Sequence, residues 1–153
     1  MNKKHLLIVF HSQTGNTEAM AHSAKEGACE FEGVEVRFLW AKEAGPDDLL
    51  WADGLLIGTP ENMGYMSGAI KDFLDRTYYP VEGKINNLPY SVFISAGNDG
   101  RGALSHIQRI GRGYPFKEVY EPVIARGELT DETLAKCREM GQTLAAGLEF
   151  GIF

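Results

Sequence analysis

Leu6-Leu7-Ile8-Val9-Phe10-His11-Ser12-Gln13-Thr14-Gly15-Asn16-Thr17 is the stretch on which the fold turns. An unbroken apolar run of this length fits a strand covered on both faces, and a helical pattern begins near Glu18 just beyond the polar run. The first amides of a helix lack intrahelical partners and carry the positive end of its dipole, so they attract an anion. Gly15 lets the chain turn tightly beside that anion, and the hydroxyls of Ser12, Thr14 and Thr17 with the Asn16 amide are neutral donors at the same place. With no Lys or Arg in the loop, this cradle suits a phosphate that is bound and kept, not one that is transferred. The same residue types also serve helix capping alone, and the loop by itself does not separate the two readings.

Outward from this stretch, strand-like and helix-like segments alternate. Met20, Ala24, Ala28 and Phe31 write one helical face, stopped by Gly33, and Val34 to Leu39 alternates as a half-buried edge strand. Pro46-Asp47-Asp48 opens a short helix, with Trp40 and Trp51 flanking the segment as anchors to the core, and Leu55 to Gly58 is a buried strand. Thr59 to Met66 is expected as a loop. Ser67 then caps a helix carrying Ile70, Phe73, Leu74 and Tyr78, ended by Pro80, and Val81 to Pro89 is expected as a polar connection. Ser91 to Ser95 is another buried strand, followed by a glycine-rich loop, Ala96 to Gly102, and a helix marked by Leu104, Ile107 and Ile110 that breaks at Gly111 to Gly113. Glu118 to Ile124 makes a last strand, and Thr130-Asp131-Glu132 starts a helix lined by Leu134, Cys137, Gly141, Leu144 and Leu148.

Five β-α units without a linker or repeat imply one domain over residues 1–153. The expected architecture is α/β, a doubly wound three-layer α/β/α sandwich around a five-stranded parallel sheet. Ligands in such sheets sit beyond the carboxyl ends of the strands, where the loops at Ser12, Thr59 and Ala96 converge. The chain's 153 residues suffice for a substantial core. A net charge of −6 argues against a nucleic-acid partner. Cys29 and Cys137 are expected as buried small residues in a reducing compartment, with no Cys/His spacing for a metal. No apolar stretch spans a membrane and the start lacks a cleavable leader, so the cytoplasm is the expected location.

Residue tests narrow the site. A P-loop nucleotidase needs Lys-Ser or Lys-Thr where Asn16-Thr17 stands, and a low-molecular-weight phosphatase needs a loop cysteine. A receiver domain needs acidic residues where His11-Ser12 and Thr59-Pro60 stand, and no Gly-x-Gly-x-x-Gly follows the first strand. What remains resembles the flavodoxin-like family. The likeness rests on Ser12 to Thr17, on Gly58-Thr59-Pro60 through Asn62 to Gly68 with Lys71 to Arg76, and on Ser95-Ala96-Gly97.

The resemblance implies strand order 2-1-3-4-5 and bound FMN. The phosphate would sit on Ser12, Gln13, Thr14, Gly15, Asn16 and Thr17. The isoalloxazine would lie between Thr59, Pro60, Glu61, Asn62, Met63, Gly64 and Tyr65 on one side and Ala96, Gly97, Asn98, Asp99, Gly100, Arg101 and Gly102 on the other. The second of these loops holds no aromatic residue, where many flavodoxins stack one on the ring, so one flavin face is expected to be open to a hydride donor or quinone. Arg101 near the pyrimidine edge would stabilise an anionic reduced flavin or meet a phosphate of NAD(P)H, while Glu61 and Asp99 act against it. His11 and His106 are expected as packing or loop-orienting residues, and no side chain is required as a catalytic acid or base. The expected function is an FMN-dependent oxidoreductase passing electrons or hydride from NAD(P)H to a quinone or similar acceptor. The alternative is a flavodoxin-type one-electron carrier serving larger redox proteins.

Overall fold

Leu6 to Phe10 have no exposed surface in the computed structural model, which describes residues 2–153. They belong to β1 (Lys4–Phe10), which is followed in order by α1 (Asn16–Ala28), β2 (Val34–Trp40), a 3-10 turn (Ala41–Glu43), α2 (Pro46–Trp51), β3 (Gly54–Asn62) and β4 (Tyr65–Met66). The chain continues through α3 (Gly68–Val81), β5 (Leu88–Ala96), α4 (Arg101–Gly113), β6 (Phe116–Glu118), β7 (Val123–Arg126) and α5 (Asp131–Glu149).

The sheet runs β2-β1-β3-β5-β6, with β7 also on β5, and every pairing along it is parallel. Counting β6 and β7 as one edge position, this is the flavodoxin-like order 2-1-3-4-5. Alternation along the strands sends Leu7, Val9, Leu55, Ile57, Val92 and Ile94 into a core beneath α2, α3 and α4. Leu6, Ile8, Phe10, Leu56 and Phe93 enter a second core with Met20 and Ala24 of α1 and Cys137, Met140 and Leu144 of α5. The arrangement is an α/β/α sandwich.

Two glycines set how closely α1 and α5 approach. A Cβ on Gly27 would lie 2.0 Å from the Arg138 carbonyl oxygen, and one on Gly141 would lie 1.9 Å from that of Ala24. The helix that opens at the Ser12–Thr17 stretch is therefore packed backbone to backbone on α5. Trp51 stacks on His5 at 4.2 Å and Trp40 meets Phe10 at 4.4 Å, so the two tryptophans fasten the α2 segment to opposite cores. Ser67 and Thr130 cap α3 and α5 as expected, accepting from the amides of Ile70 and Thr133.

Several expectations need correction. Thr59 to Met66 is a hairpin: β3 runs on to Asn62 and pairs antiparallel with β4. Its two-residue turn holds Met63 at φ 51° and Gly64 at φ 72°, the left-handed pair that matches strand twist. The connection expected over Val81 to Pro89 is shorter at both ends, spanning 82–87, because α3 runs one residue past Pro80, which in the last turn forfeits a single helical hydrogen bond, and β5 begins at Leu88. Helix α1 stops at Ala28, before Phe31, and α4 persists through Gly113.

The last strand is interrupted. Tyr90 pairs with Glu118 and Phe93 with Val123, so two residues of β5, Ser91 and Val92, stand opposite four, 119–122, and the excess forms a bulge, although the Val119 amide still donates to the Tyr90 carbonyl at 3.0 Å. Pro122 cannot donate to the ladder, and Ser91 Oγ donates instead to the Tyr120 carbonyl at 2.9 Å.

Cys137 is buried as expected, but Cys29 is exposed, because α1 ends just before it. Burial pushes the Cys137 thiol up to about 12. A thiol reagent should therefore modify one cysteine, Cys29, in native protein and both after denaturation. Modification of Cys137 in the native state would show that the α1–α5 core opens.

Candidate functional site

The carboxyl ends of β1, β3, β5 and β7 meet at one edge of the sheet. Gly15, at φ 103°, turns the chain from β1 into α1, and the Ser12 hydroxyl accepts its amide at 3.1 Å. The side-chain cap common at helix starts is lacking in α1. Among the described residues, the amides of Gln13, Thr14, Asn16, Thr17 and Glu18 donate to no protein acceptor. Asn16 and Thr17 lie inside the first turn, so the helix begins two residues earlier than the Glu18 start expected from the sequence. Thr17 is buried, and its hydroxyl pairs with that of Ser95 at 2.8 Å, tying the cradle to the end of β5.

Beside the cradle, Gln13, Thr14, Asn16, Pro60, Glu61, Asn62, Ser95, Ala96, Gly97 and Gly127 line a cavity of 310 Å³. His11, at the end of β1, has a buried Nδ1 without a partner among the described residues, and burial lowers its pKa. A depressed folded pKa means that the stabilisation is complete above the ordinary value of 6.5 and is lost as pH falls through the folded value. The apo-protein should thus lose stability on acidification below about pH 6.5, and His11→Gln should shallow that slope. An unchanged slope in denaturant titrations at several pH values would remove His11 from the account.

The hairpin is clamped on both sides. Asn62 Nδ2 donates to Gln13 Oε1 at 3.1 Å, and the Glu61 carboxylate accepts the amides of Gly100 at 3.2 Å and Ala103 at 3.1 Å. Glu61 thereby caps α4 from another element, with its charge at the positive end of the helix dipole. Thr59 is buried, accepting the Ser67 amide and donating to the Pro60 carbonyl. A Cβ on Gly102 would lie 1.9 Å from the Gly64 carbonyl oxygen, so turn and helix touch through backbone atoms alone.

Glu61, Gly64, Asn98, Asp99, Gly102 and Arg126 line a second cavity of 550 Å³ beside the first. Asp99 accepts the Arg101 amide at 3.0 Å, while Gly100, at φ 72°, precedes α4. Arg101 and Gly102 belong to the first turn of α4 and not to a loop. Arg101 is exposed and lines neither cavity, whereas Arg126 lines the second. Met63 is fully exposed at the hairpin tip. Tyr65 leans on His106, with centroids 4.6 Å apart, and His106 Nδ1 donates to the Gly102 carbonyl at 2.6 Å.

Most expected residues thus gather at this edge. Ser95, Arg126 and Gly127 line it from outside the expected contact set. The available signal was topological: Arg126-Gly127 ends the last strand, at the edge where the other strands also end. Among the described residues no cluster of His, Cys, Asp and Glu is placed to hold a metal ion, and no helix is long and apolar enough to cross a membrane.

Free amides at a helix start, hydroxyl donors around them and a cavity leading to a broader cleft define a mononucleotide-binding α/β protein. The family model for flavodoxin matches residues 8–101. A flavodoxin from Aquifex aeolicus is 34% identical over 92% of this chain and 84% of its own length. An NAD(P)H dehydrogenase (quinone) from Acidithiobacillus ferrooxidans is 33% identical over 63% of this chain and 59% of its own length. Among solved structures, a flavodoxin from the domain Archaea superposes with a TM-score of 0.83 at 22% identity, covering 95% of this chain and 99% of the other.

The chain belongs to the flavodoxin family, and its cofactor is FMN. The residues present fit that group: the cradle offers several unpartnered amides to a phosphate, and the adjoining cleft offers backbone and small side chains to a flat ring.

Proposed function

We propose that the protein is an FMN-dependent oxidoreductase that takes electrons from NAD(P)H and delivers them to a quinone or similar small acceptor, acting as one domain in the reducing cytoplasm. The observation that carries this reading is the character of the second cavity, which no aromatic side chain lines. Tyr65, the nearest aromatic on the hairpin, packs on His106, and the segment from Gly97 to Gly100 contributes only small and polar residues.

Bound FMN supplies reversible hydride and electron transfer. The chain contributes position. The amides of Gln13, Thr14, Asn16 and Thr17 would hold the FMN phosphate, with Ser12 and Gly15 shaping the turn. Thr59, Pro60, Glu61, Asn62 and Gly64 form one wall of the ring site. Ala96, Gly97, Asn98, Asp99, Gly100 and Gly102 form the other, Met63 and Tyr65 frame the rim, and Arg101 stands outside. Arg126, without an ion-pair partner among the described residues, lines the second cavity. A hydride carries two electrons and one proton from the donor, a second proton comes from solvent, and a quinone leaves as hydroquinone.

A carrier role is the second reading, favoured by the flavodoxin relative that covers most of this chain. Anaerobic rapid mixing of the FMN-loaded protein with NADPH and NADH separates the two. Rapid loss of the visible absorbance with either nucleotide, restored by a quinone, is the expected result. Failure of both nucleotides would overturn the proposal, and a stable one-electron stage in photoreduction would then point to the carrier.

A further inference from the structure

A third cavity, of 510 Å³, adjoins the ring-side cavity and shares Arg126 with it. One wall is the bulge that splits the last strand, bringing Tyr120, Glu121 and Pro122 to the surface, and the other includes Lys136 and Glu139 of α5. Its volume lies within the roughly 300–1,000 Å³ of small-ligand sites.

We infer that this cavity holds the adenosine-phosphate half of a nicotinamide nucleotide, with Arg126 on the diphosphate where the molecule passes to the ring-side cavity. The inference rests on the reductase reading and names where its donor sits.

The lining selects the ligand class. Tyr120 and Pro122 offer flat apolar surface to a base, and the Tyr120 hydroxyl is held by Glu139 at 3.2 Å. Among the described residues Arg126 has no ion-pair partner. Lys136 has only an exposed contact to Glu132 at 3.8 Å, too weak to withhold it from a phosphate. Two cations alone would describe an anion site, but Glu121 and Glu139, lining the same cavity from its two walls, disfavour a bare anion. They accept hydroxyl donors, which ribose supplies. A quinone uses none of these charges, whereas a nucleotide combines a flat base, sugar hydroxyls and phosphate and so uses each group.

The test uses the FMN-loaded protein and ADP-ribose, which lacks the nicotinamide and undergoes no redox reaction. Amide NMR shifts should concentrate at Tyr120, Glu121, Arg126 and Lys136. Lys136→Glu should weaken ADP-ribose at least tenfold and raise the NADPH concentration needed for half-maximal flavin reduction, whereas Lys136→Arg should retain binding. FMN content and melting temperature report that each variant is folded. Shifts confined elsewhere, or affinity within twofold of wild type in a folded Lys136→Glu protein, would overturn the inference. If NADPH reduces the flavin while ADP-ribose fails to bind at this cavity, the assignment falls and the reductase reading stands. If neither nucleotide reduces the flavin but ADP-ribose binds with these shifts, the cavity is a nucleotide site and the reductase reading falls.

Discussion

Gly102→Val is expected to lower the unfolding free energy of the apo-protein by about 3 kcal/mol, the upper part of the range for overpacking a closed contact. The reason is specific to this position. The nearest atoms to a new Cβ are the carbonyl oxygen, carbonyl carbon and Cα of Gly64, at 1.9, 2.7 and 3.2 Å, so no side-chain rotation relieves the clash. The turn and α4 must part, which stretches the two hydrogen bonds by which Glu61 caps that helix. Both ring-side walls move, so FMN affinity should fall at least roughly tenfold, equivalent to about 1.4 kcal/mol. Urea unfolding of the apo-protein and FMN titration measure the two effects. Wild-type values for both would show that the hairpin does not lean on α4 in solution.

The second large effect is expected at Thr17, whose hydroxyl joins that of Ser95 inside the protein. Thr17→Val keeps the shape and leaves the buried Ser95 hydroxyl without this partner, a loss of about 1–3 kcal/mol. Ser95→Ala in the same background removes the orphan and should recover much of that loss, because an apolar pair of similar shape is nearly neutral. FMN affinity should fall in the single variant as well, since the link holds the first turn of α1 against β5, beside the cavity Ser95 lines. Strict additivity of the two substitutions in denaturant titrations would mean that the hydroxyls act independently.

Continuous apolar runs such as Leu6 to Phe10 and Leu55 to Ile57 declared the buried parallel strands, and the Ser67 and Thr130 caps announced their helices. The hairpin stayed hidden because its turn places Met63, not Asn or Asp, in the left-handed region. The split edge strand was obscured by the apolar character of Val119 to Ile124, while the consequence of Pro122 depended on what β5 could pair with. In the site, Ser12 to Thr17 was readable as a unit because one turn of sequence builds it. The partners of Thr17 and Glu61 were not, since Ser95 is 78 residues away from Thr17 and Gly100 is 39 from Glu61. Arg126 lies one strand beyond the loops that the motif resemblance covered, and it, not Arg101, lines the second cavity.

Everything proposed for this chain depends on a phosphate held by backbone amides at the start of α1. Calorimetric titration of the apo-protein with FMN and with riboflavin, which differ only in that phosphate, tests this most directly. Hydrogen bonds to a charged group contribute about 1.5–3 kcal/mol each, so two or three of them should make FMN bind at least about 100-fold more tightly. Equal affinity for the two flavins would contradict the cradle and the assignment built on it.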